Sequence, residues 1–309
     1  MPTSRPPTID PVAVRRWQDL AVASSEVPPG FTSPWLHEEV ARRMEERLQW
    51  IVQKPSVWAH WEPVRGGWQA QALLQARYPG ATAYLVEPNP RHAALLRCAR
   101  KTPWWSPFKR STAKGQVAHP PQPVGMLWAN MALHHAADPQ PLIAQWLQML
   151  EVGGFLMFSC LGPETLREIR AVYAAQGWPA PSHAFTDMHD WGDMLVEAGF
   201  AEPVMDMERI TLSFSTPESL LAELRTLGRN LSRTRFGGLR TAAWRDVLHS
   251  ALRQGLADPA DDGRLKLSFE VIYGHAFKPA PRFAVRPQTN IDVESLRGAA
   301  RGSRRDLAQ

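Results

Sequence analysis

Only two of the 309 residues are cysteine, Cys98 and Cys160. Both sit in apolar patterns and are expected as buried thiols, not as a disulfide or a metal pair. So little cysteine excludes a disulfide-stapled fold and points to a reducing, cytoplasmic compartment. No run of about 18 apolar residues occurs, which excludes a membrane-spanning helix. The first residues, Met1–Asp10, are rich in Pro and Thr and carry no apolar segment behind a basic start, so no secretory signal is expected there. Acidic residues are thin at the other end. From Lys278 onward seven basic residues face three acidic ones, so this tail holds +4 of the net charge of +5 and the body is nearly neutral. A solvated basic tail is the plainer reading. Contact with an acidic partner or RNA is the sharper one, and no nucleic-acid-binding motif supports the RNA.

The chain is 44% hydrophobic, enough for one large domain with an insertion or for two modest domains. The residues 1–10 and 279–309 read as disordered ends around a domain at 11–278. An amphipathic helix is predicted over Pro34–Val52, with Ser33 as N-cap and Pro34 in the first turn. Leu36, Val40, Met44, Leu48 and Ile51 would line its inner face, and Glu38–Arg42 and Glu39–Arg43 would pair on the outer one.

A β/α alternation follows. Strands are predicted at Ser56–Trp61, Ala81–Glu87, Met126–Asn130 and Phe155–Leu161. Between them lie a loop at Glu62–Gly67 and helices at Trp68–Arg77, from Asn89 to about Arg100, and at Pro139–Leu150. Strands separated by helices of this length imply an α/β fold with a doubly wound, largely parallel sheet. Its ligand belongs at the carboxyl ends of the strands. Later come helices at Glu164–Gln176 and Met188–Ala198, a strand at Val204–Phe214, a helical insertion at about 217–262 and a last strand at Lys266–Tyr273. The two late strands are expected to be antiparallel and to close one sheet edge.

Four phrases resemble a known family. They are FSCLGPETLREIR from Phe158 to Arg170, FTDMHDWGDMLVEAGF from Phe185 to Phe200, PVMDMERITL from Pro203 to Leu212, and FEVIYGHA from Phe269 to Ala276. Together they look like the malonyl-acyl-carrier-protein O-methyltransferases of early biotin synthesis, relatives of the mitochondrial complex I assembly methyltransferase-like proteins. The resemblance covers about residues 12–278. It implies a Rossmann-like class I methyltransferase fold, S-adenosylmethionine as cofactor and acyl carrier protein as partner. It also implies a three-part donor site: an acidic-Gly-x-Gly-x-Gly loop after the first strand, an acid ending the second strand for the ribose, and an acid after the third for the adenine.

The first of these parts is altered. The loop reads Trp61-Glu62-Pro63-Val64-Arg65-Gly66-Gly67. Aligned on Gly67, the acidic position is Trp61 and the first two glycines are Pro63 and Arg65. Pro63 lacks an N–H donor, and Arg65 sets a cation where a sulfonium is expected. Lys109–Val124 contains no acid for the adenine, and Gly125 stands where Asp is usual. Glu87 matches the ribose acid. The cofactor site is therefore expected to comprise Glu87, Gly66, Gly67 and Asn130.

Ala129–His135 reads ANMALHH where the family has SNLALQW, so His134 and His135 are expected to border the acceptor. Adjacent histidines on an extended chain point to opposite sides, which argues against a two-histidine metal site. A malonyl carboxylate needs cations; Arg225 and Arg229 are the first candidates for binding it, ahead of Arg209 and Arg235. Methyl transfer to a carboxylate needs alignment and desolvation more than a general base, so no catalytic acid or base is assigned. Two functions from different classes remain open at this stage: a methyltransferase acting on malonyl-acyl carrier protein, and a non-catalytic binding or assembly protein on the same fold. A basic-tailed RNA-associated relative is a third reading.

Overall fold

The computed structural model describes residues 9–20, 33–99 and 115–281. The disordered-end assignments at 1–8 and 282–309 lie outside these residues. Met1–Pro279 form one compact unit, and everything below concerns it.

The elements alternate as expected and add three that were not: a first helix at Pro11–Gln18, a short strand at Ala257–Asp258, and a helical turn at Pro63–Gly66 where a loop was expected. They run α1 (Pro11–Gln18), α2 (Trp35–Arg47), β1 (Val57–Trp61), α3 (Pro63–Gly66), α4 (Ala70–Arg77), β2 (Thr82–Val86), α5 (Pro90–Ala99) and β3 (Val124–Ala129). Then come α6 (Pro139–Met149), β4 (Leu150–Leu161), α7 (Arg167–Ala175), α8 (Met188–Ala198), β5 (Ala201–Phe214), α9 (Pro217–Leu227), α10 (Ala242–Leu256), β6 (Ala257–Asp258) and β7 (Arg264–Phe277). The sheet order is β2-β1-β3-β4-β7-β5, with β6 beside β7. β1 to β4 pair in parallel. Both late pairings, β4 with β7 and β7 with β5, are antiparallel. β7 is thus the reversed strand, and β5 runs with the first four. Beyond β2, Gln116 makes a single parallel bridge to Tyr84.

Period-two alternation puts successive side chains into different cores. Trp58, Met126 and Trp128 face α2, α4, α7 and α10, whereas Ala59, Leu127 and Ala129 face α6 and α8. With helices on both faces the central strands have no wet side, and all six residues of β3 are buried. Trp58, Trp128 and Trp146 are among the largest fully buried side chains, each worth about 2–3 kcal/mol of apolar burial.

Local chemistry sets the helix ends. The Asp187 carboxylate accepts the His189 N–H at 2.8 Å to start α8, and Gly199 at φ 103° ends it. Thr216 and Ser219 form a capping box on α9 behind Pro217. The expected cap of α2 is different. Pro34 takes the N-cap position, and the Ser33 hydroxyl instead accepts the Trp68 N–H at 2.8 Å and donates to the Val64 carbonyl. Glu38 does not pair with Arg42 either. Its two carboxylate oxygens accept the N–H groups of Trp68 and Gln69, at 2.9 and 3.0 Å, ahead of α4. Arg42 turns to Glu39 and Glu46. Cys160 is buried as expected, but Cys98 is exposed on the outer side of α5.

Candidate active site

The carboxyl ends of β1, β2 and β3 deliver Glu62, Glu87 and Asn130 to one edge of the sheet. Glu62 follows β1 in a left-handed conformation, φ 48°, and its N–H donates to the Val86 carbonyl at 2.9 Å. Burial, and then repulsion from Glu87, push its carboxyl up to about 8. The Glu87 side chain is only 2% exposed. Its Oε1 accepts the Asn89 N–H at 3.3 Å and lies 3.6 Å from His92 Nδ1. Its Oε2 is buried with no hydrogen-bond partner.

Gly66, Gly67 and Asn130 do come together, but they face one another. A Cβ on Gly66 would lie 2.6 Å from the Asn130 carbonyl oxygen, and Gly67 sits at φ 115° against the Asn130 side chain. Asn130 Nδ2 donates to the carbonyls of His37, at 2.8 Å, and of Gly66. Its Oδ1 accepts the Ser159 hydroxyl at 2.6 Å. Both ends of the amide are therefore spent inside the protein. The glycines serve close backbone packing, and these three expected cofactor residues form a structural knot beneath the cleft.

Arg65 leaves this knot in the opposite direction. Its Nη2 donates to the carbonyls of Trp17 and Leu20, at 3.0 and 3.1 Å, and its guanidinium lies 4.3 Å from the centre of the Trp17 ring. Its charge is felt by Glu62 and Glu87 on one side and by Arg229 on the other. The partner element, α1, was absent from the sequence reading. Asp10 caps it, accepting the Val12 N–H at 2.9 Å, and pairs with Arg235 at 2.7 Å. The α1 end is also gripped by Asn89, whose Nδ2 donates to the Gln18 carbonyl at 2.8 Å, and by Arg91, which reaches the Asp19 carbonyl at 3.1 Å. Asp10 is thus part of the folded unit, not of a disordered end. The signal was present: Asp before Pro is an N-cap followed by N1, and Ala13, Val14 and Trp17 share one face.

A cavity of about 1060 Å³ opens beside this strap. Its walls include Trp17, His37, Glu38, Arg65, Arg225 and Arg229. Arg225 and Arg229 have no carboxylate within ion-pair distance among the described residues. Arg229 curls back on the C-terminus of α9, donating to the carbonyls of Arg225 and of Gly228, the latter at 2.7 Å. Of the other two arginines considered, Arg235 is taken by Asp10 and Arg209 lies in β5.

His134 and His135 occupy a 3-10 turn, not an extended segment, so both rings enter the same interior space, 3.9 Å apart. The expectation of opposite directions failed because it assumed strand geometry. His135 stacks on Trp17 at 4.2 Å and abuts Gly228, behind the cavity wall. His134 Nδ1 accepts the Leu161 N–H at 3.4 Å, and its Nε2 has no partner. Neither ring lines the large cavity; His134 borders a small separate one with Phe185 and Trp191. His183 and His37 complete the cluster, and burial pushes both down to about 4. Among the described residues no group of three His, Cys, Asp or Glu is arranged to hold a metal ion.

A doubly wound parallel sheet, one reversed strand next to the edge and an acid ending the second strand define a class I methyltransferase fold. No family model matches the chain. Curated relatives do. A malonyl-[acyl-carrier protein] O-methyltransferase of Gallionella capsiferriformans is 34% identical over 273 residues, covering 84% of this chain and 90% of its own length. That of Laribacter hongkongensis is 34% identical over 271 residues, covering 83% and 86%. Among solved structures, the YcgJ protein of Bacillus subtilis superposes with a TM-score of 0.47 at 12% identity, covering 79% of this chain and 99% of that one. The chain belongs to the malonyl-[acyl-carrier protein] O-methyltransferase family, S-adenosylmethionine-dependent enzymes of biotin synthesis.

The residues present fit that cofactor on its ribose side. The buried, unpartnered Oε2 of Glu87 is an acceptor waiting for a hydroxyl donor. On the methionine side the usual glycine-loop cradle is replaced by α3 and by Arg65, whose guanidinium is drawn toward α1.

Proposed function

We propose that this protein methylates the free carboxylate of a malonyl group carried as a thioester on acyl carrier protein, in the cytoplasm. The observation that supports this most directly is the pair Arg225 and Arg229, cations without acidic partners on the wall of a cavity large enough for an acyl-pantetheine arm. A malonyl carboxylate offers them the missing anion.

When bound, the cofactor supplies an electrophilic methyl group; a C–O bond forms at the carboxylate as the C–S bond breaks, and no proton need move. The chain's own work is placement and drying. Glu87 holds the ribose hydroxyls. Arg225 and Arg229 draw in the carboxylate. Trp17, clamped by Arg65 and His135, keeps water from the space between. Among the described residues no helix is long and apolar enough to cross a membrane.

The test is intact-mass analysis of malonyl-acyl carrier protein after incubation with S-adenosylmethionine. A single methyl ester is expected, and Arg225→Ala should raise KM about tenfold, the scale of one charged contact. Absence of ester, together with no calorimetric binding of S-adenosylhomocysteine by the folded protein, assigns it to the non-catalytic reading.

A further inference from the structure

Between Glu223 and Asp246 the chain carries six arginines and no acidic residue: Arg225, Arg229, Arg233, Arg235, Arg240 and Arg245. Among the described residues only Arg235 has a close carboxylate, on Asp10; Arg245 reaches Asp246 at the limit of 4.0 Å. The segment from Arg229 to Thr241 links α9 to α10 at the cavity mouth, seated on α1 through Leu231. It also exposes apolar side chains. Leu239 is 98% exposed and Phe236 46%. Arg240 lies 3.5 Å over the Phe236 ring and 4.4 Å from the centre of the Trp244 ring, which stiffens the loop.

We propose that this loop is the docking surface for the carrier protein itself: a small acidic helix lies across Arg229, Arg233 and Arg240 with an apolar side chain on Leu239. The inference rests on the proposed carrier-bound substrate and adds where its protein part sits. Charge complementarity and position argue for it. A row of unpaired cations attracts an acidic surface and raises the encounter rate. Arg229 belongs both to this loop and, beside Arg225, to the cavity wall, so a carrier bound here has the cavity next to it. Nucleic acid fits less well. The face of Phe236 that would stack on a base is covered by Arg240, and a bare Leu239 offers a phosphate backbone nothing.

The variants Arg233→Glu and Leu239→Asp test this, since both side chains are exposed and neither belongs to the proposed methyl-transfer machinery. Binding of a bacterial holo-acyl carrier protein is measured by calorimetry at low salt. Methylation is measured with malonyl-acyl carrier protein and with malonyl-pantetheine, which lacks the protein. Each variant should weaken carrier binding about tenfold and raise KM for the loaded carrier alike, with kcat/KM for malonyl-pantetheine unchanged. The Arg233→Glu effect should shrink as salt rises toward about 1 M, where screening reaches a few ångströms. Carrier affinity unchanged in both variants overturns the proposal. So does loss of binding to a single-stranded RNA with carrier binding intact, which assigns the loop to nucleic acid. If the wild type binds carrier through these residues yet methylates neither thioester, the surface stands and the catalytic reading falls.

Discussion

The guanidinium of Arg65 donates to the main-chain carbonyl of Trp17 at 3.0 Å and covers the indole ring at 4.3 Å. One side chain, in the place of a family glycine, thus fastens the N-terminal helix over the edge of the sheet where cofactor belongs. Arg65→Gly should release α1. Amide hydrogen exchange across residues 10–20 is expected to accelerate markedly, with a stability loss of about 1–3 kcal/mol for the lost charged hydrogen bonds. Unchanged protection of α1 would show that Asp10 and Asn89 hold it unaided.

Asn130→Ala removes an amide whose three hydrogen bonds join β3, the glycine pair, α2 and Ser159. Two carbonyls and a hydroxyl lose their partner in the interior. A loss of about 2–4 kcal/mol in urea unfolding is expected. Gly66→Ala should cost about 1–3 kcal/mol by forcing the loop off the Asn130 carbonyl.

Stability should peak near neutrality for opposed reasons. His37, His60 and His183 are held down to about 4, and His134 and His135 are also pushed well down, all chiefly by burial. Their folded values lie below the unfolded value of about 6.5, so the unfolded chain binds more protons as pH falls from about 6.5 toward 4. Stability drops through that window. Glu62 has the reverse sign. Its carboxyl is raised to about 8, so its contribution is full below the unfolded value of about 4.5 and is lost as pH rises to about 8. Five histidines outweigh one glutamate on the acid side, and Glu62 governs the descent from about 6.5 to 8. Urea midpoints at intervals across this range read the profile, and Glu62→Gln should flatten its alkaline limb.

Glu87→Gln should weaken S-adenosylhomocysteine binding by about 1–3 kcal/mol in calorimetry, while leaving the melting temperature without ligand level or higher. The buried Oε2 has no partner in the free protein and Gln keeps Oε1 as acceptor for the Asn89 N–H, so the substitution gives up only the 3.6 Å contact with His92. Equal affinity in the variant would move the ribose elsewhere.

Native thiol labelling should find one fast cysteine, Cys98, and a second only after unfolding, Cys160. Burial raises the Cys160 thiol well above its usual range, which slows it further.

The strands were legible because a sheet covered on both faces requires continuous apolar runs, and β1 and β3 have them. Helix α8 was read to the residue, since Asp187 and Gly199 are strong punctuation. Glycine misled at β4. The strand was expected from Phe155, yet it begins at Leu150 and passes through Gly153-Gly154 in an irregularity opposite Val124–Met126. Candidate-site residues fared unevenly for a physical reason. Glu87 could be placed from its strand alone, whereas the roles of Asn130, Arg65 and the histidine pair depend on partners far away in sequence. Trp17, His37 and His183 went unnoticed on the same ground. No local pattern announces that a tryptophan will cover an arginine 48 residues on.

The anchoring of α1 also has a bearing on synthesis. Asp10 pairs with Arg235, and its N–H donates to the Leu231 carbonyl, so the strap is tied to residues made near the end of translation. Such distant pairings form late. A growing chain can assemble β1, β2 and β3 with the first helix held by Arg65, Asn89 and Arg91 but without its Asp10 anchor. The strap therefore gains the second half of its anchors only once α9 and the loop after it are in place.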